Sequence, residues 1–199
     1  MDRTPAQLLR ITEQLEATHE CRNIMGRFIY YNATYRNDDI LPMWALREDC
    51  EVEMPWGHYS GAAGVTEFLC EQGDRRDPAV FEKLKGVMRL YELQSELIEV
   101  AADGKTARGV WGSPGEDTHI ENWEPIGEWR WCRFAVEFIK EDGVWKLWKL
   151  RMLPLFRTNY YRTWVNEDQL KPEEYGYKLA QPKQCEDWVY DVSKPFPAD

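Results

Sequence analysis

The fold is decided by the stretch EVEMPWGHYSGAAGVTEF at residues 51–68. Apolar residues alternate with glutamates over 50–54, which is the pattern of a half-buried strand. Pro-Trp-Gly at 55–57 predicts a turn, and the two residues 58–59 return the chain. A helix is then predicted over 61–71, opened by Gly-Ala-Ala-Gly. The stretch therefore predicts a short hairpin that runs directly into a helix.

A long amphipathic helix, or two abutting ones, is predicted upstream of this hairpin. Thr4 followed by Pro5 is typical of a helix start. Apolar side chains then recur every three or four residues along one face. The inward row near its end is partly polar: Phe28, Tyr31, Asn32 and Tyr35. Buried hydroxyl and amide groups need partners, so this row predicts contacts with protein, water or substrate.

Long strands are predicted downstream. One strand is expected over 87–100, and its partner over 106–112 follows an Asp-Gly turn. A second hairpin is expected from 128–140 and 144–152, again with Asp-Gly at the turn. The intervening residues 113–127, SPGEDTHIENWEPIG, are expected to form a loop. The pattern indicates a meander of antiparallel strands after the helices.

Composition narrows the class of function. The 199 residues carry a formal net charge of -10, so the positive surface that nucleic-acid binding requires is absent overall. No apolar run approaches the roughly 20 residues that cross a bilayer. The N-terminal segment MDRTPAQLLR has no cationic start followed by an apolar core, so a cytoplasmic location is expected, with neither nucleic acid nor membrane as partner.

Aromatic residues make up 14% of the chain, with ten Trp and ten Tyr. This excess suits a cavity for flat or polycyclic molecules and equally suits a packed oligomer interface. The tryptophans of the second hairpin, Trp129, Trp131, Trp145 and Trp148, fit either reading.

Two regions are predicted, a domain over 1–155 and a C-terminal extension over 156–199. The extension is rich in Pro and Tyr with little periodicity, and it is expected to wrap the domain or a neighbouring subunit. A homodimer or homotrimer is expected, because one face of the sheet must be covered.

The order of elements resembles the nuclear transport factor 2-like superfamily in its SnoaL-like branch, over residues 10–155. Four motifs carry the resemblance: GRFIYYNATYRNDD, DCEVEMPWGHYSGAAGVTEFL, DGKTARGVW and EFIKEDGVWKLWKLRM. It implies an α+β fold, a conical half-barrel in which a strongly bent, mainly antiparallel sheet wraps around helices and encloses one pocket. The branch includes scytalone dehydratase, steroid delta-isomerase, bile-acid 7-alpha-dehydratase, diarylpropane lyases and non-catalytic subunits. Many members use neither cofactor nor metal, so none is expected here.

The chain departs from the dehydratases of this group at their acid-base positions. Those enzymes resemble one another in a Tyr and an Asp on the long helix and a His and an Asp on the sheet. The comparable helical positions here hold Phe28 or Ile29 and Ala33 or Thr34; the sheet His falls near Tyr91, and the sheet Asp near Gly115, beside Glu116 and Asp117. These departures disfavour bile-acid dehydration and leave a related elimination open.

Five residues are the candidate catalytic groups: Tyr31, His58, Tyr91, Glu116 and His119. A His is best suited to move a proton at neutral pH, so His119 or His58 is expected to act as the base. Glu116 is expected to orient or exchange a proton, since burial raises a carboxyl pKa towards neutrality. Tyr31 or Tyr91 is expected to donate a hydrogen bond to the substrate oxygen. The alternatives are a buried aromatic core for the tyrosines and a solvated surface for the others.

Six further residues are candidate substrate contacts: Phe28, Asn32, Tyr35, Trp56, Trp111 and Arg130. Trp56 and Trp111 are expected to form apolar walls, while Arg130 either clamps a polar substrate or pairs on the surface. No metal site is predicted, because the spacing of His58 and His119 matches no ligand pattern such as H-E-x-x-H.

Together these features predict a cofactor-independent lyase or dehydratase, or an isomerase, that acts on an aromatic or polycyclic hydroxylated small molecule. The alternative is a non-catalytic ligand-binding or assembly subunit of the same fold, in which the pocket is filled by its own side chains or lacks a paired acid and base.

Overall fold

The structure is a computed structural model that describes residues 3–71, 77–78, 82, 86–121 and 124–164, without the side chains of Glu71 and of 119–121. The helices are α1 (Pro5–Ala33) and α2 (Gly61–Glu71), with two 3₁₀ helices at Asn37–Asp39 and Leu41–Met43. The strands are β1 (Glu51–Met54), β2 (Gly57–Ser60), β3 (Arg89–Tyr91), β4 (Gln94–Val100), β5 (Thr106–Glu121), β6 (Glu124–Glu141) and β7 (Val144–Asn159).

The strands form one open sheet in the order β2-β1-β7-β6-β5-β3, and β4 also pairs with β5. Neighbouring strands are antiparallel, except for β1 and β7, which are parallel. The hairpin β1–β2 thus extends the long meander at one edge, while β3 and β4 lie along β5 at the other. The predicted α+β class with a bent, mainly antiparallel sheet over helices is confirmed.

The long first helix begins with a well-formed N-terminal cap. Thr4 Oγ1 accepts a hydrogen bond from the backbone N–H of Gln7 (3.3 Å), and Gln7 Oε1 accepts one from the backbone N–H of Thr4 (2.9 Å). This reciprocal arrangement satisfies two donors that a helix end leaves free, and Pro5 occupies the first turn. The predicted start is confirmed.

The inner face of the sheet packs against α1 and carries the core. Alternate residues of β5 and β6 are buried there, as the two-residue period of a strand requires. Their rings meet edge to face: Phe28 with Phe134 at 6.4 Å between centroids, and Trp111 with Phe138 at 6.2 Å. Trp44 joins this cluster through Phe28 at 6.3 Å. The described interior is therefore closely packed aromatic core.

The outer face of β1, β6 and β7 carries paired charges. Lys149 Nζ lies 3.6 Å from Glu137 Oε2, and Arg151 Nε lies 2.6 Å from Glu53 Oε2. These residues alternate with the buried side chains of the same strands, so they project away from α1. This part of the outer face is polar and held by cross-strand ion pairs.

The loop predicted over 113–127 is wrong. β5 continues through this segment to Glu121, and β6 begins at Glu124. A side chain at residue 115 would overlap the backbone carbonyl of Leu90 on β3, so this position requires glycine. The Ser-Pro-Gly run therefore marks a close approach of two strands instead of a loop.

The single strand predicted over 87–100 is divided in two. β3 ends at Tyr91 and β4 begins at Gln94, and both pair with β5. Ser95 has a positive φ of 50°, and the register shifts between Gln94 and Leu97. A non-glycine residue with positive φ is uncommon in a regular strand, so Ser95 marks a bulge within β4.

The sheet also extends beyond the predicted domain boundary at residue 155, since β7 continues to Asn159. Most of the extension, from residue 165 onward, lies outside the described residues. Of the described helices, none combines the length and apolar character that a membrane crossing requires.

Candidate active site

A buried tyrosine and arginine meet on the inner face of the sheet. Arg130 Nη1 on β6 donates a hydrogen bond to the hydroxyl oxygen of Tyr91 on β3. The Arg130 Nη2 atom lies 3.0 Å from Asp117 Oδ2 on β5. One guanidinium therefore connects a phenol and a carboxylate from three strands.

The strand register explains why these side chains meet. Tyr91 pairs with Gly115 on one side, and Gly115 pairs with Arg130 on the other. Since Gly115 has no side chain, the arginine reaches across it to the phenol. A Cβ at Gly115 would lie 3.2 Å from Tyr91 Cδ1. The glycine thus provides the space in which the pair forms.

The Arg130–Asp117 ion pair is largely buried, so each charge depends on the other for its stabilisation. The two side chains are 11% and 12% exposed. Asp117 Oδ1 also accepts a hydrogen bond from the backbone N–H of Thr118 at 2.9 Å. The buried Nε of Arg130 has no hydrogen-bond partner among the described residues. Buried donors are usually paired, so this N–H is an exception within the cluster.

A second buried pair lies beside the first. Arg157 Nε donates to Glu128 Oε2, and both side chains are largely buried. Arg157 is the register partner of Arg130, and Glu128 is that of Asp117. Opposite charges therefore alternate within one patch, which limits the cost of burying each.

The C-terminal end of α1 borders this cluster through Tyr35. The guanidinium carbon of Arg89 lies 4.4 Å above the Tyr35 ring, and Arg89 pairs in register with Asp117. Burial raises the pKa of Tyr35; Arg89 opposes that rise and Asp117 adds to it. Asn32, one turn earlier, is also buried. The predicted inward phase of this helix end is confirmed for Asn32 and Tyr35.

Tyr91 stays protonated across the physiological pH range. Burial raises its pKa to about 12, and the positive charge of Arg130 opposes the rise without cancelling it. Arg130 already donates to the phenol oxygen, so the phenolic proton points elsewhere. Tyr91 can therefore donate a hydrogen bond to a third group.

Stability is expected to fall as the pH rises from about 9 to 12. Burial raises the pKa of Cys21 from 9.0 to about 12, that of Cys132 from 9.0 to about 11, and that of Tyr91 from 10.0 to about 12. In this window the unfolded chain releases protons that the folded chain retains, so alkali favours unfolding. Denaturant melts at pH 8 to 11 will measure the slope, and Cys132→Ala should make it shallower. A flat profile would contradict the burial of these groups.

Four predicted site residues lie in or against the core and take no part in the cluster's hydrogen bonds. Phe28 and Trp111 are buried in the aromatic core. Tyr31 is partly buried, with Arg36 4.8 Å above its ring. Trp56 is partly buried and packs against the core from the turn between β1 and β2.

His58 lies on the outer face of β2. Its Nε2 atom is 3.7 Å from Glu51 Oε2, and its Nδ1 is 3.4 Å from Ser60 Oγ. β2 and β3 occupy opposite edges of the sheet. The structure therefore does not bring His58 together with Tyr91.

Glu116 projects to the outer face, and Asp117 takes the inner position. This segment belongs to β5, and alternate residues of a strand face opposite sides of the sheet. The backbone of His119 lies in β5, paired with Ile126, and its side chain lies outside the described residues. The sequence analysis also did not identify Arg89 on β3, Glu128 on β6 and Arg157 on β7. Of these, Glu128 could have been indicated by the two-residue alternation that places it on the same face as Arg130.

Within the described residues, no group of three or more His, Cys, Asp or Glu side chains is arranged to hold a metal ion. The described cysteines are free thiols: Cys21, Cys50 and Cys132 are buried, and Cys70 is exposed.

The sequence matches the family described as the SnoaL-like domain over residues 13–151. The chain belongs to the SnoaL-like family. The match spans the hairpin, α2 and the meander that carries Tyr91, Asp117 and Arg130. No curated protein matches the sequence.

Several solved structures are similar to this one in fold. A scytalone dehydratase-like protein from Novosphingobium aromaticivorans has a TM-score of 0.57 at 14% identity, over 75% of this chain and 91% of that chain. An NTF2-like protein with a cystatin-like fold, also from Novosphingobium aromaticivorans, gives 0.58 at 15%, over 78% and 92%. A hexachlorocyclohexane dehydrochlorinase, LinA type 2, gives 0.58 at 14%, over 81% and 97%. At these identities the similarity establishes the fold alone.

Proposed function

We propose that this protein is a cofactor-independent acid-base lyase, a dehydratase or a related isomerase, whose substrate is an aromatic or polycyclic hydroxylated small molecule. Its membership of the SnoaL-like family and its dehydratase and dehydrochlorinase neighbours support small-molecule elimination chemistry. The observation that carries the proposal is the buried contact of Tyr91 with Arg130, which Asp117 holds in place.

Tyr91 is the proposed acid. Its phenol is protonated at neutral pH and already accepts a hydrogen bond from Arg130, so its own proton is directed to the substrate oxygen. The adjacent guanidinium stabilises negative charge that develops on the phenol as the proton moves. The unpaired Nε of Arg130 offers a second donor to the same substrate.

His119 is the proposed base. Its backbone lies in β5, two residues after Asp117, and imidazole is the side chain best suited to move a proton at neutral pH. In a dehydration, His119 removes a proton from the carbon next to the hydroxyl-bearing carbon. The electron pair forms the new double bond, and the hydroxyl leaves as water with the proton of Tyr91. Proton return from His119 to Tyr91 restores the enzyme.

Release of formaldehyde from a hydroxymethyl group would use the same base on the hydroxyl proton, with Tyr91 protonating the carbon that is left behind. Tyr31, Asn32, Tyr35 and Trp56 are the proposed substrate contacts from the helix and the turn.

The test is turnover of a panel of hydroxylated aromatic compounds, with chelator present and products identified by mass spectrometry. His119→Gln should lower kcat/KM by about 10² to 10⁴-fold, whereas His58→Gln on the outer face should leave it within about twofold. Tyr91→Phe should lower kcat by about 10² to 10³-fold. Equal activity of the His119→Gln and wild-type proteins would contradict the assignment of the base.

The second candidate is a non-catalytic ligand-binding or assembly subunit. The burial of Phe28 and Trp111 in the core favours it, since these predicted substrate contacts pack against the protein's own side chains. Calorimetric binding of panel compounds without turnover, unchanged in the Tyr91→Phe variant, would favour this reading over the lyase.

A further inference from the structure

An aromatic surface lies on the outer face of the sheet, opposite the candidate active site. We define the outer aromatic patch by five residues: Trp129, Trp131, Phe156, Tyr160 and Trp164. Trp129 and Trp131 remain 38% and 39% exposed. Exposed aromatic clusters of this kind usually bind another surface. The charged part of the outer face, over Glu53, Glu137 and Arg151, does not share this character.

The chain itself begins to cover the patch after β7. Tyr160 stacks on Trp129 with centroids 5.1 Å apart and the rings 7° from parallel. Trp129 Nε1 donates to the carbonyl of Tyr160 at 3.0 Å. Trp164 then packs on Phe156 at 5.7 Å. Thr158, which lies between Phe156 and Tyr160 in the sequence, is buried. The segment after β7, from Tyr160 to Trp164, therefore folds back onto the outer face of the sheet.

The contacts of residues 160–164 show in which direction the chain runs over the outer face. Tyr160 contacts Trp129, which is the register partner of Thr158. Trp164 contacts Phe156, two residues earlier on β7. Between 160 and 164 the chain therefore runs back along β7, towards Trp131, the register partner of Phe156. A chain continuing in this direction meets the rest of the patch.

The sequence that follows is suited to such a surface. In residues 165–199, Trp188, Tyr190 and Val192 alternate in CEDWVYDV, which gives one apolar side to an extended segment. The same 35 residues contain eight Asp and Glu against four Lys. Exposed Arg133 lies on the outer face, two residues beyond Trp131 on β6. Both the apolar side and the negative charge therefore find counterparts on the outer face.

We propose that residues 165–199 dock on the outer aromatic patch of their own chain, with Trp188 and Tyr190 against Trp131 and Phe156. The chain already lies on the patch at Trp164, so the tethered segment competes at high effective concentration with any second copy. The tail thereby covers the outer face of the sheet and leaves the inner face to the candidate active site. This inference is independent of the proposed function.

Photo-crosslinking of the full-length protein tests the proposal. p-Benzoylphenylalanine replaces Trp131, and irradiated protein is separated by denaturing electrophoresis and digested for mass spectrometry. The expected product has the mass of a single chain and joins residue 131 to a peptide from 165–199. A two-chain product would overturn the proposal and assign the patch to a second copy. Absence of any crosslink would show a bare patch and would also overturn it.

Two comparisons guard against artefact. The same probe at Val144, which is 58% exposed at the start of β7, should give no crosslink to the tail. In the full chain, Trp188→Ser with Tyr190→Ser should accelerate hydrogen exchange at Trp129 to Trp131 by at least about tenfold, with unchanged exchange in α1. Equal exchange in the two proteins would contradict docking even if the Trp131 probe disturbed the fold.

Discussion

Replacing Arg130 with methionine is expected to abolish the proposed activity and to lower the free energy of unfolding by about 3 to 5 kcal/mol. Methionine preserves much of the apolar stem but leaves the Asp117 carboxylate, 12% exposed, without its guanidinium. It also removes the donor to the Tyr91 hydroxyl. Chemical denaturation and kcat/KM on the best substrate of the panel measure the two effects.

The double variant separates catalysis from stability. Adding Asp117→Asn to Arg130→Met removes the uncompensated charge, and the amide still accepts the backbone N–H of Thr118 through its oxygen. We expect the double variant to recover part of the lost stability and to remain inactive. Recovery of activity together with stability would show that Arg130 is structural and would contradict its proposed role.

The outer-face pair of Arg151 with Glu53 is the matched control. Both of its side chains are 14% exposed, close to the burial of the inner pair, and they project from the opposite face. Arg151→Met is therefore expected to destabilise the protein without changing kcat/KM beyond what the folded fraction explains. A specific loss of activity in this variant would remove the distinction between the two faces.

The elements that the sequence predicted well are those whose signals are local. The capped start of α1 needs only Thr4, Pro5 and Gln7, which lie within one turn. The turn between β6 and β7 needs Asp142 and Gly143, and both adopt positive φ, at 50° and 82°. This is the conformation that favours Asp-Gly in two-residue hairpins. Local chemistry was sufficient in these places.

The segment from Ser113 to Glu121 was mispredicted because its local signals oppose its long-range pairing. Pro114 and Gly115 are typical of turns, but β6 pairs with this segment on one side and β3 on the other. Two-sided pairing outweighs the weak strand preference of these residues. The consequence for the site was a change of face: Asp117, and not Glu116, reaches Arg130.

The candidate cluster required the register of three strands, which no local pattern reveals. Tyr91 and Arg130 are 39 residues apart in the chain and meet across Gly115. Both residues could be nominated from their chemistry, but their contact could not. His58 shows the converse, since a suitable side chain near the predicted pocket rim lies on the outer face beside Glu51.

Gly115→Ala is expected to lower kcat/KM by about a hundredfold, because a displacement of about 1 Å at a catalytic group costs this much. The added methyl group overlaps the carbonyl oxygen of Leu90 and lies 3.2 Å from the Tyr91 ring. β3 contains three residues, so it can move away from β5 while the meander remains intact. We therefore expect a stability loss of about 1 to 3 kcal/mol, typical of overpacking.

Gly112→Ala on the same strand is the matched control for this prediction. Its added methyl would lie 3.7 Å from the nearest atom, the carbonyl oxygen of Gln94, which is an ordinary contact. We expect unchanged kcat/KM and a change in unfolding free energy within about 0.5 kcal/mol. Hydrogen exchange of β3 should accelerate in Gly115→Ala and stay the same in Gly112→Ala. If the two variants behaved alike, the glycine would not be what allows Arg130 to reach Tyr91, and the geometry proposed for the acid would have to be abandoned.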